Sequence, residues 1–407
     1  MTDRKFVTRR PLWLEAAAIG LLLTATLKIM ANATISPALP ALEASFAGEP
    51  GAAYLTRFLV SAPSLTVVLV APFAGLAADR YGRGIMLIAG ILLFVVAGSA
   101  GAYLPDLVSI LVSRLVLGVA VAMTMTAQVA LVGDLFSGSR RSAFMGWQTT
   151  AINFSGLLFI GLAGLLAGQS PRLPFLVYAL PILFLPLLIS IHRQEKQSEK
   201  PNGNQDGTDQ SHGAKVHWFG AAISVAALTM FTVMLFFLMP SQLPFYLDAN
   251  GFDSASATTV GLGTLMLTGG IVAMVFKRLS ERLGLAATLA VGYALMAAGF
   301  CVLAVDASWL FVLPGAALIG AGYALVQPGF LFLALQVAPK ERRGSVSGIV
   351  TTAMFLGQVI SPLLLTPFIQ RFGFSSVYFA ATATFTAFSL GAFVPMFQRR
   401  RLNQKTV

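Results

Sequence analysis

Gly75-Leu76-Ala77-Ala78-Asp79-Arg80-Tyr81-Gly82-Arg83 is a short charged loop between two long apolar runs, Leu55 to Phe73 and Ile85 to Tyr103. Each flanking run is long enough to cross a hydrocarbon core of about 30 Å as a helix. Three charged residues within five positions, with Gly75 before them and Gly82 among them, therefore read as a tight turn at a membrane surface. The rest of the chain repeats around this arrangement.

The 407 residues are 57% hydrophobic and only 11% charged, with a mean hydropathy of +0.80. A soluble domain carries roughly 25% charged residues, so the composition is that of a polytopic membrane protein. The net charge of +11 is no sign of nucleic-acid binding, because the basic residues fall in short clusters between apolar runs. Cys301 is the one cysteine, so no intrachain disulfide forms. His192, His212 and His217 lie at or in a central polar segment without cysteine or carboxylate partners at ligand spacing, and no metal or other cofactor is expected. No G-x-x-x-x-G-K-[ST] stretch occurs, so the chain is not expected to draw power from a P-loop. The basic segment Met1 to Arg10 precedes a long apolar run without a small-residue cleavage site, and the first helix is expected to stay.

Twelve apolar runs follow one another, over about 12–35, 54–78, 84–104, 107–133, 143–167, 173–191, 217–246, 255–276, 285–305, 308–337, 345–369 and 374–397. Their connecting segments alternate in charge: 22 Lys and Arg fall on one side, against Arg57, Arg172 and Arg371 on the other. The positive side is cytoplasmic. Both termini and the linker 193–216 are thus expected inside, in a multi-pass protein of the inner membrane. The linker contains Pro201-Asn202-Gly203-Asn204 and has too little apolar content to fold. It separates a six-helix half, 1–192, from a second, 217–407.

The halves read as copies. Arg140-Arg141, Gly146 and Thr149-Thr150-Ala151 recur as Arg342-Arg343, Gly348 and Thr351-Thr352-Ala353, each offset by 202 residues. The opening stretch obeys the same offset, with Asp79-Arg80-x-Gly82 matched by Glu281-Arg282-x-Gly284, and Gly118 by Gly320. Six spans per copy make both enter from one side. The pseudo-symmetry axis then runs along the membrane normal, with a substrate site near the midplane between the halves. The expected fold is all-α, twelve transmembrane helices in two pseudo-symmetric halves.

Gly75, Ala78, Asp79, Arg80, Gly82 and Arg83 resemble the signature between the second and third helices of the major facilitator superfamily, departing from it at Ala77 and Gly84. The resemblance spans the whole chain and is nearest to the twelve-helix drug and metabolite proton antiporters. Ile110 to Gly118, with Arg114 inside, is similar to that group's fourth-helix pattern, with Leu117 at the usual polar position. Gly156, Gly161, Gly164 and Gly168 resemble its fifth-helix glycines, without the accompanying proline. The resemblance implies that Gly75, Asp79, Arg80, Gly82 and Arg83, with Glu281 and Arg282 in the second copy, form a conformational latch. The simpler reading of the same residues is a topogenic loop.

Two basic residues lie within spans, Lys28 near the middle of the first and Arg114 nearer the outer end of the fourth. A charge at the centre of a span costs roughly 2.5–3.5 kcal/mol on insertion scales and marks function more often than accident. Thr24, Lys28 and Asn32 share one helix face. No acid falls convincingly at membrane depth, so the interior is positive where exporters of cations carry a carboxylate. Gln128, Asn153, Tyr323, Gln327 and Gln358 are further candidates for substrate contact, each as well explained by a bond between helices. Met123, Met125, Met230 and Met234 suit an adaptable apolar wall, or ordinary packing.

These features favour a secondary transporter working by alternating access, most simply a monomer performing proton-linked export of a small anionic or zwitterionic compound. The alternatives are an importer of an organic anion and, from other classes, a membrane enzyme or a non-transporting receptor. An enzyme would need clustered His, Cys or acidic residues at membrane depth, which the sequence lacks. Topology is checked with single cysteines in a Cys301→Ala background. Glu49→Cys and Asp253→Cys should react with an impermeant thiol reagent outside intact cells, and Gln205→Cys and Asn403→Cys should not. Labelling of Gln205→Cys from outside contradicts the alternation.

Overall fold

In the computed structural model the residues described are 15–136, 138–189, 218–339 and 342–403. The linker 193–216 and the three histidines lie outside them, as does the side chain of Asp79. The described chain is helical without a strand. The first repeat comprises α1 (Ala16–Ala33), α2 (Leu39–Ser45), α3 (Ala52–Phe58), α4 (Ala62–Tyr81), α5 (Arg83–Ser99), α6 (Leu107–Leu135), α7 (Gly138–Ala167) and α8 (185–189). The second comprises α9 (Trp218–Phe236), α10 (Leu238–Ala249), α11 (Ser254–Leu283), α12 (Leu285–Val305), α13 (Trp309–Val337) and α14 (Arg343–Asn403).

Among the described residues nine helices are long and apolar enough to cross a membrane, or ten when α3 and α4, bent by 50°, count as one broken span. Two features account for the difference from the twelve runs of the sequence. The 48-residue stretch Ser345–Ala392 is broken at Gly373, whose φ of 79° and ψ of 166° are not helical. The run at Leu173–Ile189 is too short to meet the same length criterion. Its first part, Leu173–Phe184, winds as a 3₁₀ helix with Pro174 and Pro181. A proline removes an α-helical donor and clashes with the preceding turn. Other breaks have the same cause. Ser36–Ala38, a single 3₁₀ turn holding Pro37, separates α1 from α2, and Pro63 opens α4 after the bend.

The charged stretch that looks like a loop in the sequence is mostly helix. Leu76, Ala77 and Ala78 carry α4 through Asp79 and Arg80 to Tyr81, and α5 begins at Arg83. Gly82 alone makes the connection, at φ 95° and ψ 136°. An L-residue adopts that region only with strain, so a glycine is required there. The second repeat turns in the same way: α11 runs through Glu281 and Arg282 to Leu283, and Gly284 connects it to α12 at φ 82° and ψ 159°. A helix C-terminus favours the cations Arg80 and Arg282 placed in these last turns.

Packing repeats with the same offset. A methyl group at Gly118 would strike the carbonyl of Pro63 and the side chain of Thr66; one at Gly320 would strike the carbonyl of Leu265 and the side chain of Thr268. All three pairs of positions are 202 residues apart. Each glycine lets α6 or α13 approach the backbone of the helix beside it, the small-residue packing that membrane helices rely on.

Among the described residues the contacts named here between the two repeats lie at the end of the bundle opposite the Gly82 and Gly284 turns. Along α7 and α11 the contacts run from Ala167 against Ala255, through Gly164 against Thr259 and Leu157 against Gly263, to Asn153 against Gly270. Tyr54 on α3 donates to Gln370 Oε1 on α14 at 2.6 Å. The short elements at this far end, the Ser36–Ala38 turn, α2 and α3, all pack on α10. Asp106 caps α6 there, accepting from the Ser109 amide at 2.8 Å and its hydroxyl at 2.7 Å. The Ser109 hydroxyl, then its amide, hold the Asp106 carboxyl below the usual range. The support this gives the helix is present above the ordinary carboxylate pKa and is lost as pH falls through the lowered value.

The paired glycines give a direct test. Gly118→Ala and Gly320→Ala should each destabilise the folded protein by about 1–3 kcal/mol, the cost of overpacking a well-filled contact. Gly161→Ala, which meets nothing within 4 Å, should be neutral. Melting of the detergent-solubilised variants reads this out; equal melting of all three would contradict the packing.

Candidate functional site

Lys28 and Asn32 lie one helical turn apart on α1, and Phe355 and Gln358 three residues apart on α14, so the two faces meet side by side. The Lys28 amine lies 5.4 Å from the centre of the Phe355 ring. One turn on, Asn32 Nδ2 donates to Gln358 Oε1 at 3.0 Å. The same oxygen accepts from Ser64 Oγ on α4 at 2.5 Å. Asn32, Ser64 and Gln358 are all buried, and their bonds join three helices across the two repeats. Lys28 is half-buried, and among the described residues no carboxylate lies within ion-pair distance of it.

Arg114 is fully enclosed behind α1. Its guanidinium sits between two rings of the 3₁₀ segment, 4.8 Å from the centre of Phe175 and 4.4 Å from that of Tyr178. None of its three nitrogens has a hydrogen-bond partner of good geometry. The ring faces provide the electrostatic compensation that a carboxylate would otherwise give. Tyr178 donates to the Ala31 carbonyl at 3.4 Å, joining this enclosure to the helix that carries Lys28 and Asn32. Arg114 therefore stands a layer behind Lys28.

The other candidates spread over both repeats. Gln128 Nε2 donates to the Leu21 carbonyl at 3.1 Å, a bond between α6 and α1 inside the first repeat. Asn153 packs across the repeats on Gly269 and Gly270. Tyr323 is stacked face to face on Phe236, with centres 3.7 Å apart and planes within 8°. Gln327 lies one turn further along α13, half-buried like Tyr323. Asn32, Gln358, Lys28 and Phe355 are thus brought together, while Gln128 and Arg114 are turned into the first repeat. Ser64 and Phe355 belong with the central group and were not singled out in the sequence; their positions facing Asn32 and Lys28 arise only when the repeats meet.

At the Gly82 end, Arg83 forms an ion pair with Asp134 at the close of α6. Arg140 pairs with Glu15 at 2.7 Å. Both pairs lie within the first repeat. Arg80, Glu281 and Arg282 are exposed at the ends of α4 and α11, and the Arg80 guanidinium lies 5.6 Å from the centre of the Tyr81 ring. Among the described residues no three His, Cys, Asp or Glu side chains converge as a metal site.

Comparison with known proteins agrees with this architecture. The chain is 26% identical over 215 residues to Multidrug resistance protein 1 of Bacillus subtilis (strain 168), a match covering 53% of this chain and 54% of that protein. It is 29% identical over 142 residues to Quinolone resistance protein NorA of Staphylococcus aureus (strain Mu50 / ATCC 700699), covering 34% and 37%. The chain thus spans about half and little more than a third of the length of these relatives. Among solved structures, a POT family transporter in complex with 5-aminolevulinic acid superposes with a TM-score of 0.73 at 14% identity, over 93% of this chain and 96% of that one. The inward open conformation of the xylose transporter XylE from E. coli gives 0.72 at 17% identity, over 93% and 94%. At such identities the likeness is one of fold. The model of the Major Facilitator Superfamily matches residues 21–362 and 254–406, and the chain belongs to that family.

Proposed function

We propose that this transporter carries out proton-linked export of a small anionic or zwitterionic organic compound, by rocking 1–192 against 217–407. The observation that carries the reading is the pair of interior cations. Lys28 and Arg114 lie within spans, and neither has a carboxylate partner among the described residues. A buried charge seeks a counter-ion, and a bound anion supplies one at Lys28. Export, rather than import, is the direction favoured by the names of the two relatives, a multidrug resistance protein and a quinolone resistance protein.

With the positively charged side cytoplasmic in the inner membrane, the end where the repeats pack together is the outer one. The structure is then the inward-open state, closed outside by the seam of α7 on α11 and by Tyr54 on Gln370. Asn32, Ser64 and Gln358 close the central site from that side, and Lys28, Phe355, Tyr323 and Gln327 lie on its wall. Arg114, behind Asn32, acts through Tyr178 and α1. The latch of Gly75, Asp79, Arg80, Gly82 and Arg83, with Glu281 and Arg282, joins the cytoplasmic ends in the opposite state. Arg83 is paired with Asp134 inside its own repeat here. The protein works as a monomer in the lipid bilayer, without cofactor.

Proton coupling follows if Lys28 takes up a proton as the anion binds and gives it up as the anion leaves, so that proton and anion cross together. Binding then weakens as pH rises through the pKa of the occupied site. Lys28→Gln should weaken binding of an anionic substrate by roughly 10- to 100-fold, the worth of a hydrogen bond to a charged group, and remove its pH dependence. Lys28→Arg should bind but not couple. Binding measured between about pH 5.5 and pH 9, across the range of a perturbed lysine, tests this. Parallel curves for wild type and Lys28→Gln, or a cationic best substrate, contradict it. Asp79→Asn should insert normally, favour the inward-open state and slow transport in proteoliposomes; normal turnover would remove the latch.

A further inference from the structure

A third basic group takes part in the contact between the repeats, at their outer end. Arg57 on α3 donates to Glu43 Oε2 on α2 at 2.6 Å and to its own helix at Ala53 O at 2.6 Å. Its guanidinium carbon lies 3.8 Å from the centre of the Phe245 ring on α10, in the other repeat. Only 12% of the Arg57 side chain is exposed, so the stacked pair is largely out of water. Phe245 is buried in turn, and joins the core of the first repeat although it belongs to the second. Just outside lies an open cavity of about 450 Å³, lined by Glu43 and Glu49 from the first repeat and by Phe245 and Asp248 from the second.

The division of these contacts matters. The ion pair of Arg57 with Glu43 lies within one repeat and survives when the repeats separate. The stack on Phe245 crosses the seam and does not. Glu43 and Asp248 line the same cavity from opposite repeats, and like charges so placed repel. Arg57 is the cation beside them. Glu49 is engaged at the amide of Leu107, 3.3 Å away, within the first repeat. We propose that Arg57, held in place by Glu43, is the lock of the outer gate. It clamps Phe245 across the seam and neutralises the carboxylate edge that would otherwise drive the outer ends apart. Opening towards the outside is the release of this clamp. The proposal rests on the inward-open reading given above.

The test uses a Cys301→Ala, Ser361→Cys protein. Ser361 is fully buried on α14, and its hydroxyl has no partner. It lies about one turn beyond Gln358, which bonds to Asn32 across the repeats, so a thiol there is expected to react with an impermeant reagent from outside when the gate opens. In intact cells, Arg57→Gln and Phe245→Leu should each speed labelling by roughly 5- to 30-fold, the equivalent of one desolvated cation–π contact. Arg57→Lys, which keeps the charge but loses the planar stack, should give a smaller increase and serves if Arg57→Gln fails to insert. Adding Glu43→Gln to Arg57→Gln should bring the rate part of the way back, because it removes the repulsion with Asp248 without restoring the stack on Phe245. That rescue separates a lock from a generally loosened fold. Cross-linking of Tyr54→Cys to Gln370→Cys by a short bifunctional thiol reagent should fall in the same variants that label faster. Unchanged labelling and cross-linking in well-inserted Arg57→Gln and Phe245→Leu proteins overturns the lock. Acceleration seen only in inside-out vesicles would leave the lock standing and overturn the assignment of sides.

Discussion

The contact of α7 on α11 governs most of what this molecule can do. It is a seam of small residues, in which Gly164 faces Thr259, Gly263 faces Leu157, and Gly269 and Gly270 face Asn153. In hydrocarbon there is no hydrophobic drive to press helices together, so close backbone approach and hydrogen bonds must hold them. A seam of this kind is tight where it forms and has little to hold it where side chains grow larger. Among the described residues the contacts named above run from the far end to the level of Asn153, and the ion pairs of Arg83 with Asp134 and Arg140 with Glu15 lie within the first repeat.

The interior charges sit where a separation of the repeats would be felt. Asn32 and Gln358 bond across the repeats, and Lys28 lies against Phe355 one turn away, so separating the repeats changes the surroundings of the amine. Arg114 is different in kind. Enclosed by Phe175 and Tyr178, it touches only its own repeat and moves with it. An ammonium at a seam and a guanidinium held between rings have different consequences, because the first can change its protonation state while the second keeps its charge.

Much of the fold was legible in the sequence because membrane helices leave a coarse record. Long apolar runs and an offset of 202 residues are visible without side-chain detail, and Gly118 and Gly320 turn out to pack on equivalent atoms. Less legible was whatever depends on contacts between distant segments. Asp79 and Arg80 read as loop because they are charged, yet the alanines before them carry the helix to Gly82. Nothing near Arg114 announces rings some 60 residues further on, at Phe175 and Tyr178. Arg57 counted as one of three basic residues on the sparsely charged side, and only the meeting of α3 with α10 gives it Phe245. Asn32 and Gln358 were each visible as polar residues within spans; that they bond to one another was not.

The central claim is that closure at one end excludes closure at the other. Distances between spin labels test it most directly. Ser45→Cys with Asn250→Cys reports on the end closed here, and Tyr81→Cys with Leu283→Cys on the opposite end. Measured by pulsed electron spin resonance in lipid nanodiscs, the first pair should give a short distance at rest and the second a long one. Adding a transported compound should populate a second state in which the first distance lengthens and the second shortens, in matched proportion. Two distances that change in the same direction, or that stay fixed in a protein shown to transport, would contradict the account.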